Sequence, residues 1–94
     1  MITDEIRELN VEIESLENMY WNAKYDYEQM RADLLLDTDF TTAIGKAKPT
    51  VAEKDAYIEQ QIGDKRLHYR SLRSELESKK RLFQVMLREI GDVE

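Results

Sequence analysis

An unbroken repeat of apolar residues, spaced alternately four and three apart, runs through the first third of the chain. Its members are Ile2, Ile6, Leu9, Ile13, Leu16, Tyr20, Ala23, Tyr27, Met30 and Leu34. Steps of three and four keep side chains on one side of a helix, and a strict seven-residue period is the seam of a coiled coil. The repeat therefore predicts one long helix over residues 3–36 that must pack against another helix.

The rest of the chain predicts a connection followed by a second long helix. Residues 37–49 form a loop with one short helical turn that ends at Gly45. Thr50 and Glu53 have the spacing of a capping box, which predicts a helix start at residue 50. This second helix, residues 50–90, continues the four-three frame through Val51, Ile58, Ile62, Tyr69, Leu72, Leu76, Phe83, Met86 and Ile90.

Two long helices joined by a short connection predict an all-α antiparallel helical hairpin, coiled-coil-like, with residues 1–94 as a single domain. The charges support this arrangement. Residues 1–45 hold eleven acidic and three basic residues, whereas residues 65–88 hold eight basic and two acidic ones. We expect residues 4–17 to lie beside residues 68–81, with opposite charges fixing the register.

Several apolar residues fall outside the predicted seam, and three serines follow a helical spacing on the second helix. Small side chains let another helix approach closely. The pattern predicts that the hairpin self-associates into a four-helix or larger bundle. The candidate oligomer contacts are Trp21, Tyr25, Ser71, Ser74, Ser78 and Val85.

The composition argues against most enzyme and metal-binding classes. The chain has no cysteine and one histidine, His68, which has only Asp64 at helical spacing as a second ligand. No glycine-rich phosphate loop and no serine or cysteine nucleophile beside the histidine is present. We expect a non-enzymatic protein without catalytic residues, cofactor or metal. Lacking an apolar run of eighteen residues, it should be cytoplasmic and not attached to a membrane.

Two basic segments suggest contacts to nucleic acid. They provide the candidate contacts Lys46, Lys48, Arg66, Arg70, Arg73 and Lys80. An aromatic–basic cluster on the first helix has the residue types that stack single-stranded bases: Tyr20, Trp21, Lys24, Tyr25, Tyr27 and Arg31. The alternative interpretation is that the basic residues pair with the acidic first helix and that the aromatic residues fill protein contacts. The net charge of −6 favours this alternative.

The segment DTDFTTAIGKAKPTVAEKDAYIEQQ, residues 37–61, resembles small helical early proteins of tailed phages of Gram-positive bacteria. The residues that carry the resemblance are Gly45-Lys46-Ala47-Lys48-Pro49-Thr50, Ala52, Ala56 and Tyr57. Some of these proteins resemble phage recombination mediators, which bind single strands and assemble as rings. The resemblance implies a phosphate-binding role for Lys46 and Lys48, although this chain is more acidic than a mediator.

These observations together predict a phage accessory protein in DNA recombination or replication that acts in the host cytoplasm. Its expected partners are further copies of itself, single-stranded DNA, or a recombination or replication protein. One alternative is a protein-binding module, such as an inhibitor of a host or defence protein, that acts through its acidic helical face. A second alternative is a structural or scaffold coiled coil.

Overall fold

The computed structural model describes the backbone of residues 2–93 and the side chains of residues 3–91. Met1, Glu94 and the side chain of Ile2, which opens the predicted repeat, lie outside this part. Three helices follow one another: α1 (Ile2–Asp37), α2 (Phe40–Ile44) and α3 (Val51–Val93). The long helices α1 and α3 pack against each other over a molecule that measures 69 × 18 × 14 Å. The all-α class and the packing of the two long helices are confirmed.

The core forms two clusters along the seam between α1 and α3. The larger cluster contains Leu9, Ile13, Leu16, Tyr20, Leu72 and Leu76. All six belong to the predicted four-three frames, and burying each such side chain contributes about 1.5–3 kcal/mol. The spacing of the apolar residues therefore determines which side of each helix is buried.

The second cluster closes the hairpin at the end where the chain turns. It contains Tyr27, Phe40, Ile58 and Ile62, and the ring of Phe40 meets the ring of Tyr57 edge-on at 5.9 Å. Phe40 reaches this position because α2 packs against α3. The short helix thus supplies a buried residue that neither long repeat contains.

Local capping fixes the connection. Asp39 caps α2 by accepting a hydrogen bond from the Thr42 amide at 3.3 Å, and Gly45 ends it in a left-handed conformation with φ 77°. At the start of α3 the Thr50 amide donates to Glu53 Oε1 at 3.3 Å, and the Glu53 amide donates to Thr50 Oγ1 at 3.2 Å. These reciprocal bonds form the predicted capping box.

The segments 4–17 and 68–81 do meet through opposite charges, but the register between them is shifted by roughly two helical turns from the predicted one. Lys79 pairs with Glu12 at 3.1 Å and Lys80 with Glu17 at 3.0 Å, whereas the predicted register would place both lysines beside the first turns of α1. The tyrosine contacts of the core give the physical reason. The ring of Tyr69 packs between those of Tyr20 and Tyr27, and these contacts fix the position of α3 along α1.

Two of the apolar residues in the predicted frames, among those whose side chains the structure describes, are exposed. Val51 is 76% exposed because it stands in the first turn of α3, beyond the end of the packed seam. Met30 is 40% exposed and lines an open groove whose walls also include Lys65, the polar member of the second frame. The seam is therefore interrupted where a lysine takes the place of an apolar residue.

Candidate nucleic-acid interface

The two sides of the hairpin differ in chemistry. In a heptad, positions e and g flank the buried a and d positions on opposite sides. Glu17 and Lys80 both occupy e positions and pair with each other, so the e positions of α1 and α3 share one side of the hairpin. That side, together with the neighbouring b positions, carries a set that we call the basic–aromatic face: Trp21, Lys24, Arg31, Arg66, Arg70, Arg73 and Lys80.

The aromatic part of this face is built on the buried Tyr20. The Trp21 ring lies 5.2 Å from the Tyr20 ring and is 60% exposed. Lys24 Nζ lies 5.3 Å from the centroid of Trp21 and 5.9 Å from that of Tyr20. A cation within about 6 Å of an aromatic face is attracted by the ring electrons. This contact holds a positive charge beside an accessible indole ring.

The basic residues of α3 join this aromatic part at the same level of the hairpin. Tyr20 and Tyr69 are in contact, with ring centroids 6.2 Å apart. Trp21 follows Tyr20 on α1 and Arg70 follows Tyr69 on α3, and both occupy b positions. The fold therefore brings an exposed ring from α1 to the same level and side of the hairpin as an arginine from α3, although 49 positions in the sequence separate them.

Most cations of the basic–aromatic face have a carboxylate partner. The pairs are Arg31–Asp55, Arg66–Glu59, Arg73–Glu77 and Lys80–Glu17. All of these side chains are at least one-third exposed, and an exposed ion pair contributes only about 0–1 kcal/mol. Within the described structure, Lys24 and Arg70 have no carboxylate partner at all. A phosphate can replace such exposed partners at low cost.

Gly63 explains how one of these pairs forms. It is buried, and a Cβ atom at this position would lie 2.8 Å from Glu59 Oε1. The missing side chain leaves room for the Glu59 carboxylate to fold over the helix backbone and accept a hydrogen bond from Arg66 Nη2. In the sequence, Gly63 is only a residue of low helix propensity inside a predicted helix. Its role in making room for Glu59 could not be predicted.

The two loop lysines lie at a different end of the molecule. Lys46 Nζ bonds to Glu53 Oε1 at 2.7 Å, and this contact, with the Thr50 hydrogen bonds, holds the pKa of Glu53 below its ordinary value. Lys48 is exposed. At about 1.5 Å per residue along α3, Arg70 lies roughly 30 Å away. The six predicted contacts therefore form a group of four on α3 and a separate pair at the turn.

The opposite side of the hairpin is acidic and contains a groove. An open depression of about 590 Å³ is lined by Met19, Ala23, Asp26, Met30, Lys65 and His68, among others. The small Ala23 side chain and the solvent-directed Lys65 leave this gap in the seam. The carboxylates on this side are Glu5, Glu8, Glu12, Asp26, Asp33, Asp64, Glu75 and Glu89. The negative net charge is thus concentrated away from the basic–aromatic face.

The predicted oligomer contacts fall on two sides. Ser71, Ser78 and Val85 occupy c positions, which adjoin the acidic side, and Ser74 lies on the outer surface of α3. Trp21 lies on the basic–aromatic face and Tyr25, 65% exposed, stands next to it on the outer surface of α1. One flat interface cannot contain all six residues.

The described part of the chain contains no group of three or more metal-ligating side chains, and His68 is exposed at the rim of the groove. None of the helices, as far as the structure describes them, is long and apolar enough to cross a membrane. Comparison with known proteins gave no match to any family model, curated protein or solved structure.

Proposed function

We propose that this chain is a non-enzymatic accessory protein of DNA recombination or replication that binds single-stranded DNA through its basic–aromatic face. The observation that carries the proposal is the placement of Trp21 and Lys24 on α1 at the level of Arg70 on α3. Stacking of a base on an aromatic side chain contributes about 1–3 kcal/mol, and neighbouring cations follow the phosphates. The segment with the phage resemblance, residues 37–61, supports the assignment to a phage gene product.

The distribution of charge makes the proposal compatible with a net charge of −6. The carboxylates of the acidic side point away from a strand bound on the opposite side. On the basic–aromatic face, Glu17, Glu59 and Glu77 are held in exposed ion pairs that a phosphate can exchange, whereas Glu14 and Glu28, at the b positions before and after Trp21, have no basic partner in the described structure. Binding by one hairpin should be weak and should depend steeply on salt, because it rests on a few phosphate contacts.

Self-association would strengthen this weak binding. The hairpin leaves apolar residues outside its seam, and we include in the proposal its assembly into a four-helix or larger bundle. Ser71 and Ser78 adjoin the acidic side, where another helix can approach without covering Arg70. Each added copy repeats the basic–aromatic face, so that one strand contacts several copies with a high effective concentration.

The test is binding of fluorescein-labelled oligo-dT, followed by anisotropy as salt is raised. We expect saturable binding at low salt and a linear fall of log affinity with log salt. The triple change Arg66→Glu, Arg70→Glu and Arg73→Glu should abolish binding while circular dichroism shows retained helix. Failure of the folded wild-type protein to bind at low salt contradicts the proposal.

A matched pair of single variants locates the site. Arg70→Gln and Lys65→Gln each remove one positive charge from α3, and neither residue is in an ion pair within the described structure. Arg70 lies on the basic–aromatic face, whereas Lys65 lines the groove on the acidic side. Arg70→Gln should weaken binding several-fold and reduce the salt slope, and Lys65→Gln should not. Equal effects would indicate non-specific attraction.

A second candidate function is protein binding through the acidic side. The groove supports it, because Met19 and Met30 present flexible apolar surface beside the carboxylate of Asp26. Such a surface fits a basic helical segment of a host or defence protein. The test is Met19→Asp, which should abolish capture of a basic target by the chain and leave oligo-dT binding unchanged.

A further inference from the structure

The outer surface of α1, on the side away from the seam, carries a second stripe at helical spacing. It follows the f and c positions of the heptad, which again step by four and three along the helix. From Val11 to Leu36 every residue of this stripe is exposed and uncharged, although 36% of the residues in the chain are charged. Another helix can cover such a stripe without the cost of burying an unpaired charge.

The outer surface of α3 carries a matching stripe over about three turns. Its members also occupy f and c positions and are exposed and uncharged: Leu67, Ser71, Ser74 and Ser78. Three of these four side chains are small, so another helix can approach closely along this segment.

The contacts of the seam show that the two stripes lie at the same level of the hairpin. The ring of Tyr69 on α3 lies between those of Tyr20 and Tyr27 on α1. Counting from these rings in opposite directions along the antiparallel helices, residues 67–78 are level with residues 15–25. The α1 stripe places uncharged side chains at each of these levels: Ser15, Asn18, Asn22 and Tyr25.

We propose that copies of the hairpin associate side by side, with the outer surface of α1 of each copy packed on the outer surface of α3 of the next. Successive copies are related by a rotation about an axis parallel to the helices, so that residues of the same level meet. Tyr25 of one copy then packs on Leu67 of the next, and Asn18 and Asn22 meet small serines. Such a contact is heterologous, because it joins two different surfaces, and each added copy offers both surfaces again.

Charge complementarity at the open end of the hairpin supports this contact. Asp4 and Glu8 extend the α1 stripe toward the N-terminus, and Arg81 and Arg88 occupy the next f positions of α3. Arg88 is level with Asp4, and Arg81 lies within one helical turn of the level of Glu8. Arg81 donates to Ser78 Oγ, and none of the four charged residues has an ion-pair partner in the described structure. Across the contact each meets an opposite charge.

The contact combines residues that one flat interface cannot contain. Tyr25 belongs to the α1 surface, whereas Ser71, Ser74 and Ser78 belong to the α3 surface. The two sets need not lie on one side of a hairpin, because they meet between copies.

The same contact builds a site shared between two copies. The b positions flank it on the basic–aromatic side, as the e positions flank the seam. Trp21 and Arg70 occupy b positions at one level, so Trp21 of one copy lies beside Arg70 of the next. Glu14 and Glu77 share the next level of this flank, where Arg73 neutralises Glu77. At this point the inference rests on the proposed function, because a base that stacks on Trp21 has its phosphate beside an arginine of the neighbouring copy.

Two complementary variants test the contact by sedimentation. Tyr25→Asp blocks the α1 surface and Leu67→Asp blocks the α3 surface, and circular dichroism should show both folded, because these residues are 65% and 62% exposed. Each variant alone should associate about tenfold or more weakly than the wild type, because a carboxylate faces an apolar partner. An equimolar mixture should form a one-to-one dimer, because each variant supplies the surface that the other lacks.

Tyr25→Asp mixed with Asn18→Asp is the control. Both changes block the α1 surface and add one negative charge, so this mixture should stay dissociated. The polar middle of the contact makes association weak and reversible on dilution. A wild-type protein that sediments as a monomer up to several hundred micromolar overturns the proposal. So does a mixture of Tyr25→Asp and Leu67→Asp that fails to associate, which is the result expected for a two-fold contact.

The one-to-one dimer also tests the shared site, because it contains a single contact. That contact uses Trp21 of the Leu67→Asp chain and Arg70 of the Tyr25→Asp chain. Trp21→Ala in the Leu67→Asp chain should lower the oligo-dT affinity of the dimer several-fold more than Trp21→Ala in the Tyr25→Asp chain. Each loss is compared with the loss in the same chain measured alone. Equal losses overturn the shared site.

The two failures can be told apart. Variants that bind oligo-dT but do not associate when mixed overturn this inference and leave the proposed function standing. A mixture that dimerises but binds no oligo-dT contradicts the proposed function and the shared site, and it supports the contact between copies.

Discussion

The ring of Tyr69 on α3 lies 5.3 Å from the ring of Tyr27 on α1 and joins the two clusters of the hydrophobic core. Tyr69 also contacts Tyr20, one heptad earlier on α1. A residue that belongs to both clusters couples their unfolding. It also sets the register, because sliding either helix by one heptad would separate these rings.

Removal of this ring should therefore destabilise the whole hairpin. We expect Tyr69→Ala to lower the free energy of unfolding by about 2–4 kcal/mol, since it leaves a cavity next to Tyr20 and Tyr27. Tyr25→Ala is the control, because it deletes the same ring from a site that is 65% exposed and should cost less than about 0.5 kcal/mol. Urea unfolding monitored by circular dichroism provides both values. Similar losses for the two variants would contradict the role of Tyr69.

A charge placed in the seam should prevent folding. Leu16 and Leu76 are buried in the larger cluster. An aspartate at either position buries an unpaired carboxylate at a cost on the order of several kcal/mol, a large part of the stability of a small domain. We expect Leu16→Asp or Leu76→Asp to lose most helical signal at 25 °C. Leu67→Asp introduces the same charge on the exposed surface of α3 and should stay helical.

The single tryptophan provides a direct probe of the basic–aromatic face. If bases stack on Trp21, oligo-dT should quench its fluorescence with the same midpoint as the anisotropy titration. Trp21→Ala should weaken binding by about 1–3 kcal/mol, because a stacking surface is lost. Trp21→Phe keeps an aromatic ring and should retain most of the affinity. Unquenched fluorescence at saturating oligo-dT would place the strand elsewhere.

Two glycines should respond in opposite directions to the same substitution. Gly63→Ala adds a methyl group that meets only the mobile end of Glu59, so the gain in helix propensity, about 1 kcal/mol, should exceed the loss of an exposed ion pair. Gly45→Ala places alanine at φ 77°, which costs about 1 kcal/mol. Thermal unfolding should show a higher Tm for Gly63→Ala and a lower one for Gly45→Ala. A lower Tm for both would show that Glu59 cannot move aside.

The capping box at the start of α3 should respond to acid. Lys46 and then Thr50 lower the pKa of Glu53 from its ordinary 4.5. A carboxyl with a depressed pKa in the folded state stabilises the fold above its unfolded pKa, and this contribution is lost as the pH falls through the folded value. Glu53→Gln should therefore lower Tm at pH 7, and the difference from the wild type should disappear at strongly acidic pH. Glu28→Gln, which removes an exposed carboxylate without a hydrogen-bond partner in the described structure, should leave Tm unchanged at pH 7.

The buried side of each long helix could be predicted because a four-three repeat allows few other structures. Leu9, Ile13, Leu16, Leu72 and Leu76 are buried as their spacing requires. The register could not be predicted, because a seven-residue repeat pairs equally well after a shift of one heptad. The tyrosine contacts resolve this ambiguity, and they depend on ring shapes that periodicity does not describe.

The candidate site was predictable only in part, for a related reason. The sequence identifies the basic residues of α3 and the aromatic–basic cluster of α1 as separate features. Their position on one side of the hairpin depends on the register and on the antiparallel direction of the helices. Trp21 and Tyr25 were predicted as oligomer contacts because exposed aromatic residues fit protein interfaces as well as bases. Only the position of Lys24 over the indole ring distinguishes Trp21 from an ordinary interface residue.

The closure of the hairpin by α2 at one end has a consequence for the order of folding. Contacts near this end, such as Arg31–Asp55, join residues that are 24 positions apart, whereas Glu12–Lys79 joins residues from nearly opposite ends of the chain. Short chain loops close at lower entropic cost, so the pairing of α1 with α3 should begin beside Phe40 and progress toward the termini. The termini are then the last part to form and the first to separate. Contacts that hold the two terminal segments together should therefore slow the step at which unfolding begins.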